Sequence, residues 1–465
     1  MGSRDQAAGC NAPARRLRAL LAGALAVAAV ALAGGAGGAD ARTLKESVAI
    51  TVQRYPEIQR DKALSAAADK AIDQAFSSYL PNLNLDQEFG YEWTNSPSTR
   101  TRATRTVGID PGSVSRVRRD SNVTFRQMMF DGFETPNRVS SARYSLDTAN
   151  FTVAETSERV ALRVVLLYLD VLRTRMFVDI TQENLNALAE IAGQIRELAQ
   201  AGRGTGSDVD QADSRVYQGR AAIELRKGEN NAAIARYIEV VGEVPVDLVL
   251  PDAPQYQRPT SEEEAVAFAL AHHPSGLASA SFYKSRQADA DAAWGPFYPR
   301  FDFETLASTG SNLDGNKGRD SDINPRLRLR QNVFNGMGDW ARVGRTREEA
   351  VAAKEDDAEQ RRRIREEVRV SYRNLKTAEE RLAPLKSHAV SAKQVLEGYR
   401  SQFELGKRSL LDLLDVQNEL LQARLGQTDG EFRVLLANYE LISAQGVLLD
   451  QFGMKSLPAK GKTDK

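Results

Sequence analysis

From Asn82 to Thr94 the chain alternates between two kinds of side chain. Odd positions carry Leu83, Leu85, Gln87, Phe89, Tyr91 and Trp93, and even positions carry Asn82, Asn84, Asp86, Glu88, Gly90 and Glu92. Period two marks a strand with two unlike faces. Further along, Phe301 and Phe303 alternate with Asp302 and Glu304, and Leu327, Leu329, Gln331 and Val333 alternate with Arg326, Arg328, Arg330 and Asn332. The pattern predicts two strand hairpins, 82–94/122–130 and 300–308/324–334, with the 122–130 strand the least regular. The intervening segments, Asn95–Ser121 and Thr309–Asp322, are polar and read as exposed loops.

Elsewhere the period is helical. Leu188, Ile191, Ile195 and Leu198 keep the 3-4-3 spacing of a coiled-coil seam, and Leu413, Val416 and Leu420 continue it. Between Gly132 and Gly202 the sole proline is Pro136, near the start, so one helix of roughly 100 Å is expected there. A glycine turn at Gly202–Gly206 returns the chain, giving a helix hairpin over 132–241. A second hairpin is expected over 338–451, turning at Gly406 and kinked or broken near Pro384. Each hairpin is preceded by an Ala-rich helical stretch, Thr43–Ser78 or Ser261–Trp294. Each stretch ends in an aromatic-proline exit, Tyr79-Leu80-Pro81 or Phe297-Tyr298-Pro299, where proline stops the helix.

These elements are one unit written twice. Pro56 and Pro81 recur as Pro274 and Pro299 at an offset of 218, whereas Gly132, Tyr168, Gly202, Asp208 and Gly242 recur as Gly336, Tyr372, Gly406, Asp412 and Gly446 at 204. The offset changes between Pro81 and Arg126, where the first copy has the longer loop. The implied organisation is a first repeat over 42–243, a proline-rich linker over 244–259, a second repeat over 260–451 and a polar tail over 452–465.

The N-terminus reads as a cleavable signal peptide, residues 1–41. Arg15, Arg16 and Arg18 precede the apolar stretch Ala19–Ala33, and Ala39-Asp40-Ala41 supplies small residues for cleavage. That stretch is short of the about 20 residues a spanning helix needs. The one cysteine, Cys10, falls within the leader, so the mature chain is expected to have no thiol chemistry. Lys and Arg total 62, as do Asp and Glu, which gives no sign of a nucleic-acid partner. Three histidines and no mature cysteine argue against a metal or haem site, and His272-His273 before Pro274 read as helix-end residues. No nucleophile–base set or phosphate loop stands out, so neither enzymatic chemistry nor a cofactor is expected.

An exported chain with alternating strands and aromatics near the strand ends fits a membrane barrel, although a soluble sheet with one wet face would alternate too. Two hairpins supply too few strands to close a barrel, and lipid does not tolerate an open sheet edge. Several protomers must then share one barrel: two would give a filled interior, and three a twelve-stranded ring able to hold a channel. The lumen would be lined by Asp86, Glu88, Asp302, Glu304, Arg326, Arg328 and Arg330. The first loop holds six arginines against two aspartates; it could touch anionic outer-membrane lipid or a passenger, and plain solvation explains it as well.

With its proline exits, its strand ends Gln127–Gly132 and Gln331–Gly336, and the stretch Tyr399–Gln417, the chain resembles the TolC-like outer-membrane efflux family. The resemblance implies an α+β membrane protein: a homotrimer whose twelve-stranded outer-membrane barrel continues into a helical coiled-coil barrel in the periplasm. It implies as partners a periplasmic adaptor and an inner-membrane ABC or RND transporter. The segments 95–100, 129–135, 157–172 and 206–212 resemble the branch serving type I secretion of large adhesins or RTX-like proteins. Multidrug efflux is the alternative on the same scaffold, and a periplasmic coiled-coil scaffold without a pore is a distant third.

The resemblance also names a gate. Arg408 falls on the family's gate arginine, Ser207 and Asp208 on the hydroxyl and carboxylate beside it, and Phe403 on a position the family fills with tyrosine. Gly202, Arg203, Gly204, Gly406 and Lys407 form the tips expected to meet the adaptor. Asp412 and Asp415, three apart on one helix face, would stack in a trimer as two cation-binding rings.

Overall fold

The computed structural model describes residues 42–97, 99, 113–254, 256–405 and 407–455. The leader, most of the basic loop, Gly406 and the end of the tail therefore lie outside the described residues. Helices α1 (Leu44–Arg54) and α2 (Pro56–Phe76) lead to strands β1 (Asn82–Thr94) and β2 (Val114–Phe130), then to α3 (Glu134–Gln200) and α4 (Gly206–Val241). The second repeat follows the same order: α5 (Glu262–His272), α6 (Pro274–Ala292), β3 (Arg300–Ser311), β4 (Arg319–Arg330), α7 (Gly338–Glu404) and α8 (Leu410–Ala444), closed by the short α9 (Leu448–Gln451).

Small details repeat along with the elements. Thr43 and Ser261 cap α1 and α5 through the N–H groups of Glu46 and Glu264. Tyr55 and His273 take the same extended conformation before the prolines that start α2 and α6. The His273 ring nitrogen Nδ1 accepts from the Ser275 N–H at 3.2 Å, so this histidine is an N-cap. Burial lowers its pKa to about 4, which keeps the ring neutral and able to accept. At the strand ends Gln127 donates to the Tyr79 carbonyl and Gln331 to that of Phe297.

The four strands form one antiparallel sheet in the order β1-β2-β3-β4, so consecutive strands pair and the sheet is open at β1 and β4. Strand β2 begins at Val114, well before Asn122 where the period-two pattern started it. Its first half pairs with Phe89–Thr94 although arginine fills alternate positions there. Strands β3 and β4 likewise reach Ser311 and Arg319, and β4 ends at Arg330.

Two long hairpins, α3/α4 and α7/α8, extend from this sheet. At 67 residues each, α3 and α7 measure about 100 Å. Of the kink or break expected near Pro384, the break does not occur, because α7 is helical through it. The lost backbone bond is offset by packing. Leu382 and Leu385, on either side of Pro384, close on Gly430 of α8, where a Cβ would lie 2.8 Å from Leu385.

The largest apolar core joins α1, α3, α4 and α8 midway along the hairpins, around Tyr168, Tyr237 and Ile442. Within it Glu158 of α3 is 3 % exposed and accepts the N–H groups of Leu448 and Leu449 at 2.8 and 3.2 Å, fixing the C-terminal turn to the hairpin. Burial raises its pKa to about 7.

Candidate functional site

The sheet has its faces the wrong way round for a soluble protein. Even-numbered residues share one face and odd-numbered residues the other, as the pairings Asp86↔Asn122, Arg126↔Glu304 and Asp302↔Arg328 require. On the odd face Leu83, Leu85, Phe89, Tyr91, Trp93, Ile323, Leu327 and Leu329 are all exposed. On the even face Asp302 and Glu304 are 0 % and 3 % exposed. Two acids are covered while a broad aliphatic and aromatic face is bare, which suits a sheet whose outer solvent is hydrocarbon.

The covered acids are held by arginines from three strands. Asp302 pairs with Arg300 of its own strand and with Arg330 of β4 at 2.6 Å. Glu304 pairs with Arg126 of β2 at 2.9 Å and with Arg326 and Arg328 of β4 at 3.2 Å. Asp86 and Glu88 lie on the same face of β1 but are exposed, and Arg118 approaches Glu88 at 3.9 Å. All seven residues expected on one strand face share it, and five of them enter two ion-pair clusters, one on Asp302 and one on Glu304.

At the other end of the molecule the helix hairpins turn. Gly202 closes α3 in the left-handed region, with φ of 70°, where glycine is favoured. Thr205 then caps α4: its hydroxyl accepts from the Asp208 N–H, and the Asp208 carboxylate accepts from the Thr205 N–H in return. Ser409 and Asp412 build the same reciprocal box at the start of α8. Asp208 and Asp412, equivalent in the repeat, are thus equivalent members of two capping boxes. The Asp208 pKa is lowered by the hydrogen bonds from Thr205.

Arg408 is tied to its own hairpin rather than to Asp208. Its guanidinium lies 4.2 Å from the centroid of the Tyr399 ring, donates to Gln402 at 3.0 Å and approaches Asp412 at 3.8 Å. Phe403 packs with Tyr399 and Leu396 against a core of Leu188, Ile191, Leu410 and Leu413. That apolar seat accounts for phenylalanine there. Ser207, Arg203, Gly204 and Lys407 are exposed at the tip, and Asp415 forms an ion pair with Arg215 of α4 at 3.2 Å.

The two hairpins are joined side by side above the tip. Gln417 of α8 donates to Asn184 of α3 at 2.9 Å in a buried bond, and Arg424 and Arg400 reach Glu183 and Glu190 of α3. None of these links was read from the sequence, because residues more than two hundred positions apart leave no periodic signal. The capping boxes did leave one, in Thr205-x-x-Asp208 and Ser409-x-x-Asp412.

No helix among the described residues is long and apolar enough to cross a membrane. A four-stranded sheet with an apolar outer face, carried on helix hairpins about 100 Å long, defines an outer-membrane channel protein with a helical periplasmic barrel.

Comparison with known proteins gives the particular family. The chain belongs to the outer membrane efflux protein family, whose model matches residues 50–243 and 266–447, one segment per repeat. It is 25 % identical over 440 residues to the outer membrane efflux protein BepC of Brucella suis, covering 94 % of this chain and 92 % of that one. It is 22 % identical over 406 residues to the outer membrane protein TolC of Vibrio cholerae, covering 85 % and 89 %. The fold matches the Campylobacter jejuni CmeC outer membrane channel with a TM-score of 0.75 at 15 % identity, over 89 % of this chain and 90 % of that one. Family and fold are those of channels, not of enzymes.

Proposed function

We propose that three copies of this chain assemble into a passive export conduit that an adaptor and an energised inner-membrane pump open from the periplasmic side. The observation that carries this is the inverted sheet. Its apolar face needs lipid, and its free edges at β1 and β4 need neighbours, since lipid cannot satisfy open backbone groups. Three protomers would close about twelve strands and leave a lumen lined by the charged face. The paired hairpins would extend that lumen through the periplasm.

The cargo we propose is a large protein secreted by a type I route, with an ABC transporter as the pump. Support comes from the first repeat, where segments 95–100, 129–135, 157–172 and 206–212 resemble that branch. Multidrug efflux is the second reading, favoured by the names of relatives such as BepC, an efflux protein. Deleting the chain and measuring both outputs separates them. Loss of a secreted large protein with unchanged drug tolerance fits the first; drug sensitivity with intact secretion overturns it.

At the tip, we place the gate in Arg408 with Ser207, Asp208 and Phe403, and adaptor docking on Gly202, Arg203, Gly204, Gly406 and Lys407. The exposure of Arg203, Gly204 and Lys407 supports docking. The grip of Tyr399, Gln402 and Asp412 on Arg408 supports a closed conformation locked within the α7/α8 hairpin. Asp412 and Asp415 would line the constriction, with Asp415 partly compensated by Arg215.

A further inference from the structure

The turn joining β3 to β4 folds sideways across β2 as far as β1. Strands β3 and β4 end as a pair at Ser311↔Arg319, and the Asn312 N–H closes the turn by donating to the Gly318 carbonyl at 2.9 Å. Strand β2 outruns β3 there. Its last partner on that side is Arg119↔Ser311, while it stays paired with β1 as far as Thr94↔Val114. The turn crosses this stretch. The Asn312 side chain donates to the Val117 carbonyl at 2.9 Å, and Arg116 donates to the Gly315 carbonyl at 3.3 Å. Beyond them, on β1, the N–H groups of Asp314 and Gly315 face the Glu92 carboxylate, which also holds Arg118 at 3.4 Å and accepts from the Thr94 hydroxyl.

The turn lies on the charged face of the sheet. A Cβ on Gly310 would meet Leu313 at 2.8 Å, and one on Gly315 would meet Thr99 at 2.6 Å and Thr94 at 3.3 Å. Gly310, Glu92, Thr94 and Arg116 are even-numbered, so they share the face of Asp302 and Glu304. Exposure along β2 agrees: Ser115, Val117 and Arg119 on the other face are exposed, whereas Arg116 and Arg118 are half-buried and Asp120 is buried. The curl is local to the sequence. Asn312, Asp314, Gly315 and Gly318 all take positive φ, which these residue types tolerate best.

We propose that this turn is a second constriction, folded into the lumen at the end of the barrel away from the helix hairpins and latched by Glu92, with Asp314 and Lys317 as the charges that cargo must pass. The proposal rests on the shared barrel above, in which the charged face is the lumen and three copies bring three such turns into one mouth.

The two sides of the turn differ accordingly. Gly315 is buried against the wall, and Asp314 and Lys317 are exposed. The wall holds the turn by charge-assisted hydrogen bonds, which keep their strength at a wet surface better than neutral ones. Removing Glu92 deprives the turn of its acceptor, whereas Arg118 keeps Asp120 at 2.9 Å. The loss therefore falls on the turn and not on the sheet.

Substituted-cysteine recording tests this. In a Cys10→Ser background, full-length Lys317→Cys and Arg119→Cys are each reconstituted in planar bilayers. Arg119 lies at the same level on the opposite face. Conductance is recorded before and after addition of a bulky cationic methanethiosulfonate, with labelling confirmed by mass. The expected result is up to three downward conductance steps in Lys317→Cys, one per copy, and none in Arg119→Cys. Adding Glu92→Ala to Lys317→Cys, or Asn312→Ala outside the strands, should raise the unmodified conductance and shrink the steps. A labelled Lys317→Cys channel of unchanged conductance overturns the constriction. Conductance and steps unaltered by Glu92→Ala and by Asn312→Ala overturn the latch. Silence from every variant, with intact oligomers by native mass, overturns the conduit reading and this proposal with it.

Discussion

Arg408 lies over the ring of Tyr399, 4.2 Å from its centroid, on the same hairpin that carries both residues. The arginine thereby joins the end of α7 to the start of α8 without help from another chain. An exposed contact of this kind contributes about 0.5–1 kcal/mol. Arg408→Ala should raise the open fraction of the purified channel roughly two- to fivefold per protomer. Arg408→Lys, which keeps the charge but loses the planar stack, should fall between the two. Unchanged single-channel recordings and unchanged antibiotic leak in Arg408→Ala would remove this residue from the gate.

The acids beside it separate into two roles. Asp412 belongs to the capping box of α8, and Asp415 faces Arg215. The double change Asp412→Ala with Asp415→Ala should abolish block of the channel by multivalent cations. Ser409→Ala keeps both acids and removes the cap hydroxyl, so it should leave the block intact while lowering stability by about 1 kcal/mol. Block that persists in the double variant would place the constriction elsewhere.

Leu327, on the bare face of β4, is 65 % exposed, and its neighbour Arg328 points to the covered face. An arginine at 327 would have to enter hydrocarbon, at about 2–4 kcal/mol near the bilayer midplane. Leu327→Arg should therefore reduce the fraction of protein that assembles in outer-membrane preparations, whereas Leu327→Ile should not. Equal assembly of the two variants would mean that this face does not meet lipid.

Glu158 and His273 bend the pH dependence of stability in opposite directions. The Glu158 pKa is raised to about 7 by burial, above its unfolded value, so the folded protein binds the extra proton and this contribution weakens as pH climbs from about 4.5 to 7. The His273 pKa is lowered to about 4, so the unfolded chain binds the extra proton and stability rises with pH between about 4 and 6.5. Denaturant titrations should show Glu158→Gln gaining on the wild type as pH rises across the first interval, by up to about 3 kcal/mol. A constant difference between the two proteins over that range would rule out the buried carboxylate as the source.

Much of the fold was legible because the chain states it twice. Gly202 and the offset of 204 located both ends of the 67-residue helices, and Leu83 to Trp93 declared a strand with two faces. The start of β2 was hidden because Arg116, Arg118 and Arg119 look like loop composition, and a charged lumen face looks the same as solvent when read one residue at a time. Pro384 does not end α7; a local rule about proline ignores the α8 surface packed beside it. At the tip, sequence spacing did not disclose which bonds the side chains make. Asp208 and Asp412 close capping boxes that their spacing from Thr205 and Ser409 could have shown, whereas the seat of Arg408 over Tyr399 depends on three-dimensional proximity.

Chains that close a conduit through the outer membrane must conduct ions. The purified full-length protein is reconstituted in planar bilayers and recorded alone and as Arg408→Ala. Discrete channel events, of low open fraction in the wild type and higher in the variant, are the predicted result. A bilayer that stays silent with both proteins, after native mass has shown intact oligomers, would contradict it.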